Sequence, residues 1–272
     1  MASTYTLPEG FLEGPAPALK RSNVDFIRGR MPEYEGQWAA ILDGVLTKKE
    51  CDQLVLAAEA TTNGVWERAM VNIGGGMQAL YEDTRKCGRI IWDDRDLMAK
   101  LWTRIEAFVP EIHRLEKWAS VTGNGPEKRN EVWKVTRLNE RARFLKYVGG
   151  EYFKRTHTLS SFQKYSLTDT AHCDGTYETP DRTERSYFTL HLYLNDPEGE
   201  DGREPLDGGA TTFHSWSMRE RIDVVPKCGR VLMFQHRGLL HSGDDVLSGT
   251  KLTMRTDLMY AKEEPKEEET KD

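Results

Sequence analysis

The sequence predicts an α+β fold in which helices come first and a β-sandwich or barrel follows. Apolar residues repeat with the spacing of helices from about residue 37 to residue 110. From Arg141 onward the hydrophobic pattern changes to a period of two, which is typical of strands with one buried face. Helices followed by strands favour a sheet that helices support on one side. With 272 residues, the chain is long enough to bury one large core.

The first half of the chain carries the signals of two helices. Thr47 and Glu50 have the spacing of a capping box, and Asp94 is a candidate N-cap for a second helix, which Pro110 ends. Each cap is followed by apolar residues on one helix face: Cys51, Leu54, Val55 and Ala58 in the first helix, and Leu97, Met98, Leu101, Trp102, Ile105 and Phe108 in the second. We expect both faces to pack into the core and residues 37–135 to form a helical support.

Six segments after residue 140 alternate apolar and polar residues and are separated by turns rich in Gly, Pro and Asp. They are RARFLKYV, SYFTLHLYLN, GATTF, RIDVV, RVLMF and KLTMRTDLMY. We expect these segments to form a β-rich core over residues 141–261, so that residues 31–261 make a single domain. Residues 1–30, rich in Pro, Gly and Ser, predict a flexible arm, and the charged residues 262–272 predict a disordered tail.

Composition and charge exclude several classes of protein. The formal net charge is −6, and no basic stripe gives the electrostatic footprint of a nucleic-acid-binding surface. No run of 18 apolar residues predicts a membrane-spanning helix, and the N-terminal residues lack the pattern of a secretory signal. The four cysteines have no disulfide or metal-binding spacing. We therefore expect a protein of the cytoplasm or nucleus that is not secreted and binds neither nucleic acid nor membrane; its oligomeric state stays open.

His172, Asp174 and His241 are the candidate metal ligands. Residues i and i+2 of an extended strand share a face, so His172 and Asp174 can reach one metal ion while Cys173 points away. His241 ends another strand-like segment. Two histidines and one carboxylate form the facial triad of non-haem iron(II) oxygenases, which leaves coordination positions open. These residue types do not exclude zinc or manganese, and a hydrogen bond between His172 and Asp174 in a turn is the alternative.

The segments around these residues favour the metal site. In order, they are KYVGGEYFK (146–154), HCDG (172–175), SYFTLHLYLN (186–195), GGATTF (208–213), PKCGRVLMF (226–234) and HSGDDVLSGTK (241–251). Together they resemble the prolyl 4-hydroxylase-like branch of the iron(II)- and 2-oxoglutarate-dependent dioxygenases. The resemblance implies a double-stranded β-helix (jelly-roll) core with N-terminal supporting helices and the metal between its two sheets. It also implies Fe(II), 2-oxoglutarate and O2 as cofactors, with ascorbate as a candidate reductant.

The resemblance implies which residues hold the 2-oxoglutarate cosubstrate. In the family, a cation about ten residues after the second metal histidine pairs with the distal carboxylate, which points to Lys251. Arg255, on the same strand face, is the alternative or a second contact, and an arginine would grip a carboxylate with two nitrogens. Tyr193 occupies a position that hydrogen-bonds this carboxylate in relatives. Tyr147 is expected to line the same cavity.

The substrate is the least determined part of the site. Thr189 and His191 share a strand face with Tyr193 and are candidates for the substrate pocket; for His191, a hydrogen-bonded core residue is the alternative. We expect hydroxylation of a peptide prolyl residue or a small metabolite, with release of succinate and CO2. The alternatives are a jelly-roll binding protein with an inactive metal site and a cupin-like metalloenzyme without 2-oxoglutarate. Lys251 and Tyr193 count against the second alternative.

One stretch departs from the family pattern. Relatives run from Tyr-Phe-Lys directly into Pro-His-x-Asp-Gly, whereas residues 155–171 separate Lys154 from His172 here. If Arg155 is encoded by CGT and Thr170 by ACA, these codons supply the two borders of a short intron. Its removal joins a C to the last two bases of the Ala171 codon and gives proline. We expect either a retained intron or a genuine loop insertion beside the metal site, and the transcript sequence distinguishes them.

Overall fold

The computed structural model describes residues 5–69, 71–74, 77–79, 85–153, 171–199 and 204–264. The helices in this part of the chain are α1 (Lys48–Thr61), α2 (Arg95–Ile105), α3 (Ala119–Thr122) and α4 (Asn124–Lys128). Short 3-10 turns span Pro32–Tyr34, Glu106–Phe108 and Pro110–Ile112.

Strands account for most of the regular structure. They are β1 (Lys20–Asn23), β2 (Ala39–Asp43), β3 (Glu67–Arg68), β4 (Val71–Gly74), β5 (Met77–Ala79), β6 (Arg85–Lys86), β7 (Gly88–Asp93), β8 (Arg114–Leu115), β9 (Trp133–Leu138), β10 (Arg141–Val148), β11 (Tyr152–Phe153), β12 (Glu184–Tyr193), β13 (Asp207–Gly208), β14 (Thr211–His214), β15 (Arg221–Val224), β16 (Val231–Gln235), β17 (His241–Gly243), β18 (Val246–Ser248) and β19 (Thr250–Lys262). The strands predicted from residue 141 onward are therefore confirmed, and β10 has the predicted bounds.

A large antiparallel sheet forms one layer of the β-core. Its strand order is β1-β2-β16-β12-β19-β10-β7-β3, with β9 also pairing with β19 and β8 with β9. The central strand, β19, is 13 residues long and pairs with β12 on one side and with β10 on the other. Residues of these three strands that point the same way therefore line one surface of the sheet.

A smaller sheet, β15-β14-β17, forms the second layer. Phe213 and Val224 from this sheet pack with Leu232 and Phe234 of the large sheet in one buried cluster. Burial of apolar side chains between two antiparallel sheets makes a sandwich whose strands can still diverge at one end. The predicted α+β fold with a jelly-roll core and supporting helices is confirmed.

The helices pack against the outer face of the large sheet. Thr47 accepts a hydrogen bond from the backbone of Glu50, whose carboxylate accepts from the backbone of Thr47, so the predicted capping box of α1 is present. Asp94 accepts from the backbone N–H of Leu97 and caps α2 as predicted. The main buried cluster joins these helices to the sheet through Leu54, Leu97, Met98, Leu101, Ile105, Phe144, Met254, Leu258 and Tyr260.

The prediction of a helical region over residues 37–110 was only partly correct. The strands β2 and β7 lie within it, and both join the large sheet. Each is a short apolar run without enough length to show a period, so a buried strand and a helix segment look alike in the sequence. The apolar stripe of α2 is also shorter than predicted, because the helix ends at Ile105 and Phe108 is exposed.

The N-terminal residues are more ordered than the predicted flexible arm of residues 1–30. The strand β1 pairs with β2 along its whole length. Phe11, Leu12 and Phe26 are buried against the β-core. Burying a large apolar side chain contributes about 1.5–3 kcal/mol, so three such anchors can hold a segment that is otherwise rich in Pro and Gly.

Two predictions fall mostly or wholly on residues outside the described part. The stretch 155–171 is described only at Ala171, and of the predicted tail 262–272 only residues 262–264 are described. Whether residues 155–171 come from a retained intron or are a true insertion stays a prediction. Among the described residues, no helix has the length and apolar character needed to cross a membrane.

Candidate metal centre

His172, Asp174 and His241 lie together at one end of the sandwich. One ligand atom from each lies within 4.8 Å of the other two. The backbone explains this meeting: the N–H of His172 donates to the carbonyl of His241 at 2.8 Å, and the N–H of His241 donates to the carbonyl of His172 at 2.9 Å. This paired bridge puts the two imidazole rings 4.5 Å apart, centroid to centroid. Asp174 follows two residues later in extended chain and reaches the same point.

Asp174 is buried, yet its carboxylate stays ionised. Its Oδ2 accepts a hydrogen bond from Thr189 Oγ1 at 2.6 Å and forms an ion pair with Arg255 Nη2 at 2.9 Å, while Oδ1 lies 3.5 Å from His172 Nε2. Burial opposes the charged form, but Arg255 and His241 outweigh it and hold the pKa of Asp174 well below its usual range. Oδ2 is therefore fixed by Thr189 and Arg255, and Oδ1 faces the imidazole of His172.

His241 is held in the form that a metal ligand needs. Burial lowers the pKa of His241 to about 4, so the imidazole is neutral at neutral pH. Its Nδ1 lies 3.1 Å from the carbonyl oxygen of Leu239. A neutral imidazole that donates from Nδ1 to a carbonyl presents the lone pair of Nε2. That atom lies 3.8 Å from Asp174 Oδ2.

The three residues open into a cavity of about 90 Å³ inside the sandwich. Of the other predicted site residues, Tyr147, Thr189 and His191 line it. Lys251 and Arg255 line it as well, whereas Tyr193 does not. Sequence reasoning did not single out Thr211 or Asp244, although both lie in segments that carry the family resemblance, GGATTF and HSGDD.

Lys251 is a buried cation inside this cavity. It is 4% exposed, and its Nζ lies 5.5 Å from the ring centroid of Tyr147, its partner across the β10–β19 pair. Lys251 has no ion pair or hydrogen bond with any described residue. Burial lowers the pKa of Lys251 to about 8. An amine in this position is stabilised by an anionic ligand, since burial without a partner disfavours its charge.

Arg255 has a different neighbour. Four residues after Lys251, it forms an ion pair with Asp174, and its Nη2 donates to Thr189 Oγ1 at 3.4 Å. The two candidate anchors therefore face different parts of the cavity: Arg255 contacts the metal-site carboxylate and Lys251 faces Tyr147. The assignment of either residue to the cosubstrate stays a prediction.

On β12, Tyr193 is buried and His191 is partly buried, and their rings stack at 4.9 Å. Tyr193 donates from its hydroxyl to Thr211 Oγ1 at 2.7 Å, and Thr211 lines the cavity. His191 lines the cavity directly, and its buried Nε2 has no hydrogen-bond partner among the described residues. The predicted contact of Tyr193 with the cosubstrate therefore stays a prediction, and in this structure Tyr193 reaches the cavity only through Thr211.

The donor set fits a divalent iron ion. Two neutral nitrogens and one carboxylate oxygen suit a borderline metal such as ferrous iron, and three protein ligands leave coordination positions free. Among the described residues, His172, Asp174 and His241 are the group whose ligand atoms come close enough for one ion. The cavity next to them holds a buried amine and an unpaired imidazole nitrogen, which fit an acidic cosubstrate.

Comparison with known proteins gives the family of this region. Residues 160–256 match the model of the 2OG-Fe(II) oxygenase superfamily. Among curated proteins there is no match. The resemblance to the iron(II)/2-oxoglutarate oxygenases is thereby confirmed, and so are Fe(II), 2-oxoglutarate and O2 as the cofactors of this family. The use of ascorbate stays a prediction.

Several solved structures are similar to the chain. A viral collagen prolyl hydroxylase from Paramecium bursaria Chlorella virus 1, in its 2OG complex, is 19% identical with a TM-score of 0.46, over 84% of this chain and 98% of that chain. A prolyl-4-hydroxylase from Pseudomonas putida is 14% identical with a TM-score of 0.49, over 86% and 99%. A prolyl hydroxylase from Trichoplax adhaerens, in complex with a peptide fragment of hypoxia inducible factor, is 14% identical with a TM-score of 0.49, over 85% and 89%.

Proposed function

We propose that the protein hydroxylates a small molecule or a peptide residue, with 2-oxoglutarate as the cosubstrate. The match of residues 160–256 to the 2OG-Fe(II) oxygenase superfamily supports this proposal. In the reaction, one oxygen atom of O2 enters a substrate C–H bond as a hydroxyl group. The other enters succinate while 2-oxoglutarate loses CO2. The substrate and the keto acid each give up two electrons, which together reduce O2.

In this proposal His172, Asp174 and His241 hold the iron. The Nε2 atoms of both histidines and Oδ1 of Asp174 would be the ligand atoms, because Oδ2 already accepts from Thr189 and is paired with Arg255. When bound, iron(II) supplies the activation of O2. Thr189 and Arg255 act as positioning residues, since each fixes the carboxylate that the metal needs.

Lys251 is the residue that we assign to the distal carboxylate of 2-oxoglutarate. It is buried in the cavity beside Tyr147 and forms no ion pair with a described residue, and Asp244 only partly offsets the effect of burial on its charge. Arg255 lies instead at the metal-site carboxylate, beside Asp174. Tyr193 holds the hydroxyl of Thr211 in place, and Thr211 and His191 present polar atoms to the cavity. Water is excluded around them by buried side chains such as Leu145 and Phe234.

The single observation that carries the proposal is that one small cavity contains both the His–Asp–His group and a buried lysine. A metal-binding protein that does not use a keto acid has no need of such a lysine, because burial disfavours its charge and Asp244 offsets this only in part. The fit of both groups to one cavity therefore supports joint binding of iron and 2-oxoglutarate.

The test is the formation of succinate by the full-length protein. We expect succinate and CO2 to appear only when Fe(II), 2-oxoglutarate and O2 are all present. Asp174→Asn, which removes the ligand charge but keeps the shape, should reduce the rate to background. Surface variant Arg141→Gln serves as the control, since Arg141 is paired with Asp93 away from the cavity. Succinate release that does not require iron, or that survives Asp174→Asn, would contradict the proposal.

A further inference from the structure

Two arginines stand side by side next to the metal centre. Arg143 on β10 and Arg255 on β19 are direct partners across the antiparallel pair. Opposite residues in such a pair have Cβ atoms about 4.5–5.5 Å apart and share one face of the sheet. The neighbouring pairs on that face, beginning with Tyr147 and Lys251, face the cavity. Arg143 and Arg255 therefore continue the cavity surface outward.

Like charges directly opposite each other in a sheet are destabilising. One buried carboxylate partly offsets this repulsion: Asp257 lies 3.5 Å from Arg143 and 3.8 Å from Arg255. His236, also buried, lies 3.7 Å from the same carboxylate, and neither of its ring nitrogens has a hydrogen-bond partner among the described residues. Arg255 also contacts Asp174.

Arg143 has no hydrogen bond to any described residue, although its guanidinium offers five donors. Its side chain is one-third exposed, and burial lowers the pKa of Arg143. Arg141, two residues earlier on the same strand, shows the usual alternative, because Asp93 pairs with it through two hydrogen bonds of 2.9 and 2.7 Å. Arg141 is thus paired within the chain, whereas the guanidinium of Arg143, beside Arg255, has no hydrogen-bond partner among the described residues.

We propose that Arg143 and Arg255 bind a carboxylate of the substrate. This inference rests on the proposed oxygenase function and adds the chemical class of the molecule that is oxidised. Two adjacent guanidinium groups can hold a carboxylate with several charge-assisted hydrogen bonds. Two acids then bind at two places. Lys251 binds the cosubstrate inside the sandwich, and the two arginines bind the substrate beside the metal.

Asp257 lies next to both arginines, and His236 lies next to Asp257. The carboxylate of Asp257 keeps the two guanidinium groups together while the substrate is absent, since it lies within 4 Å of both. Because Arg255 also contacts Asp174, a carboxylate held there lies next to the metal ligands. The oxidised carbon is thus expected within a few bonds of the acidic group.

The experiment uses pairs of compounds that differ only in this charge. N-acetyl derivatives of the common amino acids, as free acids and as primary amides, are given to the full-length protein with Fe(II) and 2-oxoglutarate, and the additional succinate is measured. We expect stimulation by one or more acids, with kcat/KM about ten- to a hundredfold above that of the matching amide. The primary amides of N-acetyl-aspartate and N-acetyl-glutamate still carry a side-chain carboxylate. If only these two amides have the same kcat/KM as their acids, the bound carboxylate is that of the side chain, which also supports the proposal.

Arg143→Gln should bring the ratio of acid to amide close to one, and Arg143→Lys should leave an intermediate ratio because it keeps the charge without the planar fork. Arg141→Gln, which removes an arginine already paired with Asp93, is the matched control and should keep the wild-type ratio. Only folded protein contributes to the activity with the acid and with the amide. A less stable variant therefore loses both activities equally, and its acid-to-amide ratio is unchanged.

The outcomes separate the two proposals. Wild-type protein that releases succinate with iron and 2-oxoglutarate, but is stimulated by no acid or equally by amides, overturns the carboxylate inference and leaves the oxygenase function standing. An Arg143→Gln variant that changes the requirement for 2-oxoglutarate instead of the acid-to-amide ratio would assign Arg143 to the cosubstrate and also overturn it. Absence of any iron-dependent succinate in the wild type would remove the proposed function itself.

Discussion

The two faces of strand β19 differ in chemical character. On the face toward the helices, Met254, Leu258 and Tyr260 are fully buried in the main apolar cluster. On the opposite face, Lys251, Thr253, Arg255 and Asp257 point into the sandwich, and three of them carry charge. Alternation along one strand thus separates a stabilising surface from a functional one.

The difference shows where the stability of this fold resides. The helix-facing side gains free energy from apolar burial at about 25 cal/mol per Å². The interior side contains buried charges, which disfavour folding unless they are paired or bind a ligand. We conclude that on β19 the helix-facing side stabilises the fold and the interior side serves binding, while Phe213, Val224, Leu232 and Phe234 bury apolar surface elsewhere between the two sheets. The predictions below test this separation.

The largest expected effect is loss of turnover after a change on the interior side. His241→Ala removes one proposed metal ligand, and we expect iron-dependent succinate release to fall to background. The thermal unfolding transition should remain cooperative, because His241 lies outside the main apolar cluster. Metal content after anaerobic loading and a melting curve on the same sample provide the measurement. Loss of cooperative folding in His241→Ala would contradict the separation of the two faces.

The matching change on the helix-facing side is Leu258→Ala. Its side chain is fully buried in the main cluster, so truncation should reduce the free energy of unfolding by about 2–5 kcal/mol. The folded fraction should still bind one iron per chain. Urea unfolding combined with metal analysis checks both statements. A variant that keeps its stability but loses iron would show that the two faces are not independent.

Lys251 offers a change whose effects on stability and binding have opposite signs. Its folded pKa of about 8 lies below the ordinary 10.5, so at pH 7 the burial of its charge opposes folding of the ligand-free protein. Lys251→Met should therefore stabilise this form by roughly 1–3 kcal/mol. The same variant should raise the 2-oxoglutarate requirement by about one to three powers of ten. Destabilisation together with normal cosubstrate affinity would show that Lys251 has a structural role only.

The pH dependence of cosubstrate binding is a smaller effect of the same residue. Lys251 must be charged to pair with a carboxylate, and with a pKa of about 8 its charged fraction falls as pH rises through that value. We expect the apparent affinity for 2-oxoglutarate to weaken about tenfold between pH 7 and pH 9. In Lys251→Met this dependence should disappear. An equally steep decrease in the variant would assign the titration to another group.

Local patterns in the sequence predicted the strands, the two helix caps and the candidate ligands. Thr47 and Asp94 act within their own helix, and the His172–Asp174 spacing needs only extended chain. The contact between Arg255 and Asp174 could not be predicted this way, since it depends on how β19 meets a segment about 80 residues earlier in the chain. Tyr193 is similar, because its partner Thr211 comes from the other sheet.

The N-terminal segment shows a second limit of sequence reasoning. Its Pro and Gly content predicted a loose arm, but average composition does not register single anchors such as Phe11 and Phe26. The strands β2 and β7 were missed for a related reason, since a run of five or six residues is too short to show its period. Packing against β16 and β10 decides their conformation.

Joint binding of iron and 2-oxoglutarate in one cavity is the central claim, and an anaerobic titration tests it most directly. Calorimetry of 2-oxoglutarate added to iron-loaded and to metal-free protein, in wild type and in Lys251→Met, separates the two contributions. We predict one equivalent of 2-oxoglutarate bound per chain, with an affinity that weakens when either the iron or Lys251 is absent and is lowest without both. Binding of 2-oxoglutarate that is equally strong without iron and without Lys251 would contradict the account.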